Sequence, residues 1–149
     1  MRIYLDICCF NRPYDDQAQI KIEVETKAKL FIQSLVISGR LELVWSYMLD
    51  YENSKSKFVE RSRQISKWRK LAVEDIDDSI EIVKRADLLL KDGLKACDAL
   101  HISCAIDSKC EFFLTVDGDI LKRKIDGIIV CDPVQFLRFM EAINNDDKQ

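Results

Sequence analysis

No apolar run in this sequence approaches the roughly 20 residues that cross a bilayer, and a third of the chain is charged, with a net charge of only −3. A membrane span is thereby excluded, and a soluble, cytoplasmic protein is expected. The opening Met-Arg-Ile-Tyr-Leu-Asp reaches a carboxylate at its sixth residue, so it reads as folded protein and not as the apolar stretch of a secretory signal. No C-x-x-C pair occurs among the six cysteines (Cys8, Cys9, Cys97, Cys104, Cys110, Cys131), and His101 is the single histidine. That set supports neither a zinc site nor a disulfide framework. Free, mostly buried thiols in a reducing compartment are expected instead, with Cys8 and Cys9 on opposite faces of a strand. A P-loop is also absent. So is the second aspartate that the aspartyl-phosphate phosphatases carry two residues after a strand-end aspartate: Cys8 stands there, after Asp6. A response-regulator receiver would need its phosphate-accepting aspartate on a mid-chain strand, whereas here the second strand-end aspartate belongs to the last motif. With no internal repeat and no low-complexity linker, the 149 residues fit one domain.

What is present is ample material for a core, 48% of the residues being hydrophobic. Arg2 to Leu5 is a short run of β-formers that stops at Asp6 and reads as a buried strand. From Asp15 or Asp16 as N-cap, Ile20, Val24, Ala28, Phe31 and Leu35 recur at helical spacing until Gly39, which predicts a long amphipathic crossover helix. A second strand is expected over Leu41 to Trp45, then a helical stretch from about Ser46 that carries Glu52. Ile76, Ile80, Val83, Ala86 and Leu90 return to helical spacing, closed by Gly93, and Leu94 to Ile106 is apolar almost all round, a buried helix. Glu111 to Thr115 and Ile128 to Val130 complete the strands, and Pro133 opens a terminal helix that fades into a polar tail. Strands alternating with helices imply a parallel sheet covered on both faces, with ligands bound outside the carboxyl ends of the strands.

Four separated carboxylates stand out against this frame. Ile-Tyr-Leu-Asp6 and Phe-Leu-Thr-Val-Asp117 each place an acid at or just past a strand's carboxyl end, and parallel strands bring both to one edge. Asp98 is the only charge within Ala96 to Ile106 of an apolar helix, where a buried carboxylate is expensive unless something compensates it. Glu52 follows the second strand by two helical turns and can face the same edge. Crowded acids raise one another's pKa unless a cation neutralises them. Magnesium or manganese suits such a set, since hard ions take oxygen ligands in octahedral geometry and keep waters able to attack a phosphodiester. Each acid also has a plainer role open to it: Asp6 a turn residue, Asp117 part of an Asp-Gly turn, Asp98 a helix N-cap, Glu52 a solvated charge. Jointly, two strand-end acids and one acid in an apolar helix favour the metal pocket.

In order and spacing, Tyr-Leu-Asp6, Tyr-Glu52, Cys-Asp98-Ala-Leu-His101 and Phe-Leu-Thr115-Val-Asp117 resemble the PIN-domain nucleases, including bacterial toxin ribonucleases of the VapC kind, over nearly the whole chain. The opening Leu-Asp-Ile-Cys-Cys-Phe-Asn-Arg-Pro is similar to one variety of that family whose members are largely uncharacterised nucleases. The resemblance implies a three-layer α/β/α sandwich around a central parallel sheet of four to five strands, a single domain over residues 1–143 with a polar tail at 144–149. It also implies an acidic site holding Mg²⁺ or Mn²⁺, and metal-dependent endoribonuclease activity. By motif position Asp6, Glu52, Asp98 and Asp117 inherit the catalytic and metal-holding roles, Thr115 a supporting hydroxyl, and Asp119 an assisting acid. Ile7 replaces a residue often small or polar in relatives, which puts one supporting hydrogen bond to the first acid in question. RNA is the implied substrate, a cognate antitoxin protein the implied partner of toxin members, and the fold allows a homodimer. The alternative is a PIN-like module that binds RNA or protein and cuts little.

Between Asn53 and Lys70 seven basic residues face one acid, a local net charge of +6 while the rest of the chain sums to −9. Because this stretch starts beside Glu52, Lys55, Lys57, Arg61 and Arg63 are expected to contact the RNA backbone, while Phe58 and Trp68 read as packing residues. His101, three residues after Asp98, is expected to orient or pack behind an acid rather than bind a hard ion itself. Lys122, Arg123 and Lys124 read as a solvated helix face.

Overall fold

Strand β1 (Arg2–Leu5) forms where the sequence places it and is buried from Ile3 onward. In the computed structural model, which describes residues 1–147, it is the middle strand of a parallel sheet. The others are β2 (Glu42–Ser46), β3 (Glu74–Ile76), β4 (Phe112–Leu114) and β5 (Ile129–Cys131), in the order β3-β2-β1-β4-β5. Residues 148 and 149 of the polar tail expected over 144–149 lie outside the described residues. Tyr4 pairs with Val44 on one side and Phe113 on the other, and its ring stacks on that of Phe113 with centroids 5.4 Å apart. Helices complete a three-layer α/β/α sandwich around the five strands. Among the described residues no helix is long and apolar enough to cross a membrane.

The helices are α1 (Ile7–Asn11), α2 (Ile20–Ile37), α3 (Tyr47–Ser54), α4 (Val59–Ser66), α5 (Ile80–Lys91), α6 (Ala96–Asp107), α7 (Gly118–Leu121) and α8 (Pro133–Asp147). Gly39 and Gly93 end α2 and α5 as expected. Their φ values of 80° and 97° let the chain reverse while Arg40 N–H and Leu94 N–H donate back to the carbonyls of Leu35 and Leu89.

Three local expectations are corrected. Cys8 and Cys9 lie on α1, not on a strand: the Asp6 carboxylate accepts from Ile7 N–H and turns the chain into a helix immediately after β1. Ile76 closes strand β3 instead of opening the next helix, which begins after Ser79, whose hydroxyl accepts from Ile82 N–H. The period of α2 holds but its buried face differs. Ala28, Ile32, Leu35 and Val36 pack inward with Glu25, Lys29 and Gln33, whereas Ile20, Val24 and Phe31 are exposed. Apolar residues circle this helix, and its inward side is set by the polar anchor at its start, where Arg12 reaches the buried Glu25 at 2.9 Å.

Chain direction within the sheet positions the site. From β1 the strands step outward through β2 to β3, then the chain crosses back to add β4 and β5 on the other side. The order reverses between β1 and β4, and at such a reversal the connections leave in opposite directions and open a crevice at the carboxyl edge.

Candidate metal centre

Asp6 emerges at this crevice. Its N–H donates to Leu114 C=O at 2.9 Å, extending the β1–β4 ladder by one residue and setting the carboxylate beside Thr115. Oδ1 accepts from Ile7 N–H at 2.8 Å, and Oδ2 accepts from the Thr115 hydroxyl at 2.9 Å and the Cys8 thiol at 3.4 Å. Thr115 Oγ1 in turn accepts from Asp117 N–H at 3.1 Å, so one hydroxyl ties both strand-end acids together. Asp117 caps α7 by accepting from Asp119 N–H. The plainer capping roles of Asp6 and Asp117 are therefore real and coexist with their place in the cluster. The supporting bond that Ile7 put in question is supplied by Thr115, by Cys8 and by the backbone of Ile7 itself.

Glu52 is delivered by α3, whose N-cap is Ser46 at the end of β2. Its Oε1 lies 2.5 Å from His101 Nε2 on α6, and His101 Nδ1 lies 2.6 Å from the Tyr4 hydroxyl. That hydroxyl also meets Ser46 Oγ at 2.6 Å, and Ser46 Oγ accepts from Met48 N–H. One proton arrangement satisfies every partner: Ser46 donates to Tyr4, Tyr4 to His101 Nδ1, and His101 Nε2–H to Glu52. Burial raises the pKa of Tyr4 well above its ordinary value, which keeps its proton available for this chain. Tyr4, Ser46 and His101 are fully buried, so the chain is a fixed support for Glu52. One ligand atom each from Asp6, Glu52 and His101 lie within 4.8 Å of one another.

Asp98 sits in the first turn of α6, partly buried, and its pKa is pushed up to about 6. Burial is the largest cause, followed by the charges of Asp6, Asp117 and Glu52, with His101 offsetting them. Asp6 is raised as well, chiefly by burial, with Glu52 adding to it and His101 and Thr115 opposing. Asp98 and Asp117 stand outside the tight group of three but within the same electrostatic site. Asp98 and Asp119 also line a cavity of about 350 Å³ with Lys95, Lys122 and Arg123. Arg123 is not simply solvated, since it donates to the carbonyls of Asp92 and Gly93.

Oxygen donors dominate the cluster, and its mutual charge repulsion is the condition a hard divalent cation relieves; the residues fit such an ion. His101 is within reach of it but already bonded on both nitrogens. That leaves it the orienting role.

Of the basic residues named from the sequence, Lys55 caps the end of α3 with Nζ 4.2 Å from the Tyr51 ring centroid, and Lys57 is exposed. Arg61 lies over two aromatic rings, and Arg63 pairs with Glu60 at 3.2 Å. Trp68 packs against the core as expected, whereas Phe58 does not and stands exposed. Sequence reasoning passed over Tyr4, Ser46 and Cys8. Tyr4 was within reach, because residues two apart on a strand share a face and Tyr4 precedes Asp6 by two. The six cysteines are free, as expected.

Compared with known proteins, the chain has no match among curated proteins. Solved structures similar to it include VapBC2 from Rickettsia felis bound to a DNA fragment from its promoter, at TM-score 0.55 and 19% identity over 87% of this chain and 97% of that one. Another is DNA-bound VapBC from Salmonella typhimurium, at TM-score 0.53 and 15% identity over 89% and 98%. At these identities the likeness is one of fold. The PIN domain family model matches residues 3–126, most of the chain, and on that match the chain belongs to the PIN domain family.

Proposed function

We propose that this protein is a Mg²⁺- or Mn²⁺-dependent endoribonuclease that hydrolyses RNA phosphodiester bonds, with residues 1–143 as its single working domain. The observation that carries this reading is the convergence of Asp6, Glu52, Asp98 and Asp117 at the sheet reversal, with Asp98 raised first by burial and then by the charges of the other three. In this reading those four acids hold the cation through their carboxylate oxygens. A bound ion would supply Lewis-acid activation of water and charge neutralisation at phosphorus. Thr115 fixes Asp6 Oδ2, and the Tyr4–His101 chain fixes Glu52 Oε1, so these ligands need not reorganise when a cation enters. Asp98, raised to about 6 by burial and by the neighbouring acids, is the carboxyl whose ionisation a bound cation would favour, and Asp119 is placed to assist from the adjoining cavity. Lys55, Lys57 and Arg61 position the strand, while Arg63, paired with Glu60, contributes less.

The VapBC neighbours support a further reading, a toxin held in check by a cognate antitoxin in the cytoplasm, with a homodimer compatible with the fold. The test is to incubate the purified protein with a mixed RNA pool in Mg²⁺, Mn²⁺ or chelator and to identify the product ends. Hydrolysis by water leaves no 2′,3′-cyclic phosphate. Cyclic ends, or cleavage indifferent to chelator, would refute the metal mechanism, and tight RNA binding without any cleavage would favour the alternative of a PIN-like binding module.

A further inference from the structure

We infer that Tyr14, Phe58 and Arg61, flanked by Tyr51 and Lys55, form a stacking platform for unpaired bases of an RNA strand, an inference that rests on the nuclease reading above. The three rings come from three segments: Tyr14 from the 3₁₀ turn Arg12–Tyr14, Tyr51 from α3, and Phe58 from the position that caps α4. None serves the core, since they are 45%, 48% and 58% exposed. Each has a cation over its face. Arg61 Cζ lies 4.7 Å from the Tyr14 centroid and 4.0 Å from that of Phe58, and Lys55 Nζ lies 4.2 Å from that of Tyr51. Among the described residues no carboxylate pairs with Arg61, Lys55 or Lys57, whereas the nearby Arg63 and Arg69 do have acidic partners.

A hydrophobic origin for this arrangement fails on α4 itself, whose single buried residue is Ile65. The helix is instead latched to α3 by polar bonds. Asn53 Nδ2 donates to Ser62 C=O at 2.8 Å and to Ser66 Oγ at 2.9 Å, and the Ser62 hydroxyl donates back to Asn53 C=O. Arg61 therefore rides on an element bolted to the residue after Glu52, while Tyr14 ends the turn that follows α1, the helix capped by Asp6. Rings and unpaired cations are thus hung from the same two elements that deliver two of the four acids. Exposed aromatic faces set against unpaired cations, in and beside a stretch of charge +6, match the needs of a single strand, which offers both phosphates and open base faces. A duplex offers the phosphates alone. A protein partner would have no use for the charge surplus unless it were acidic.

The experiment measures binding of a short fluorescein-labelled oligoribonucleotide, single-stranded or annealed to its complement, in chelator so that nothing is cut. Parent, Tyr14→Ala, Phe58→Ala and Phe58→Trp proteins are compared. Removing either ring is expected to weaken single-strand binding about tenfold, to leave duplex binding unchanged, and to be rescued at position 58 by tryptophan. Alanine variants that bind single strands like the parent, or that lose single strand and duplex equally, overturn the platform. If the parent cuts RNA in Mn²⁺ and the alanine variants bind it like the parent, the platform falls and the nuclease reading stands. If the parent binds single strands through these rings but cuts nothing, the platform is supported and the nuclease reading fails. A parent that binds no RNA overturns the platform, and the nuclease reading falls with it only if the parent also cuts nothing in Mn²⁺.

Discussion

Replacing Asp98 by asparagine is expected to stabilise the metal-free protein while destroying its capacity for metal. The Asp98 carboxyl is raised from 3.8 to about 6 by burial and by Asp6, Asp117 and Glu52, so its ionised form is disfavoured in the fold. Fully expressed, that rise corresponds to ~3 kcal/mol. Because Asp98 is only partly buried, solvent screens the interaction, and ~1 kcal/mol is the reasonable expectation. Below pH 3.8 the acid is protonated folded and unfolded, and it contributes nothing. As pH rises from there to about 6, the unfolded chain loses its proton while the fold retains it, and the penalty grows; above that pH it is complete. In chelator near pH 7.5, Asp98→Asn should therefore melt about 3 °C above the parent, and the gap should close towards pH 4. Adding Mn²⁺ should reverse the order, because the parent gains binding energy that the variant lacks. A variant that melts below the parent in chelator at pH 7.5, or that gains as much as the parent from Mn²⁺, would refute the reasoning.

Other perturbations probe the supports of the site. Thr115→Val keeps the shape but removes the hydroxyl shared by Asp6 and Asp117, and Mn²⁺ affinity measured by calorimetry should fall at least ~10-fold. Tyr4→Phe leaves buried His101 Nδ1 without its donor and should cost about 1–3 kcal/mol in urea unfolding. Because His101 is the only histidine, its ¹⁵N resonances report the tautomer directly, and the parent should show a proton on Nε2. Mn²⁺ affinity should fall about tenfold per pH unit below about 6, as protons compete for Asp98, and stay flat above pH 7. Glu25→Ala strips Arg12 of its buried partner while leaving it Asp15 at 3.0 Å, and should destabilise the fold by about 1–3 kcal/mol.

The parts of this protein legible from its sequence are those whose cause is local. β1 ends where expected because an apolar run meets a carboxylate, and α2 and α5 end at glycines that adopt positive φ. β3 was illegible because it is a short acidic edge strand. Arg2, far off in the sequence, pairs with Glu74, and Arg69 approaches Asp75 from the preceding turn, so partners outside the strand stabilise it, not its own pattern. α1 is hidden for a related reason: Ile-Cys-Cys-Phe has a strand's composition, and only the Asp6 cap turns it into a helix. Three of the four acids could be placed from strand ends and an apolar helix. Glu52 could not, because the contact that orients it comes from His101, 49 residues away, and depends on Tyr4 and Ser46 meeting on adjacent strands. The aromatics divide the same way: Trp68 packs as its helical spacing suggests, while exposed Phe58 is explained by Arg61 and not by the core.

The most direct test of the four-carboxylate centre is single-turnover cleavage of an end-labelled RNA by the parent and by Asp98→Asn, each first shown to be folded by its melting transition. Cleavage by the parent that requires Mg²⁺ or Mn²⁺, stops with chelator and falls below detection in the variant is the expected result. Cleavage by a folded Asp98→Asn protein at the parent's rate would contradict the account.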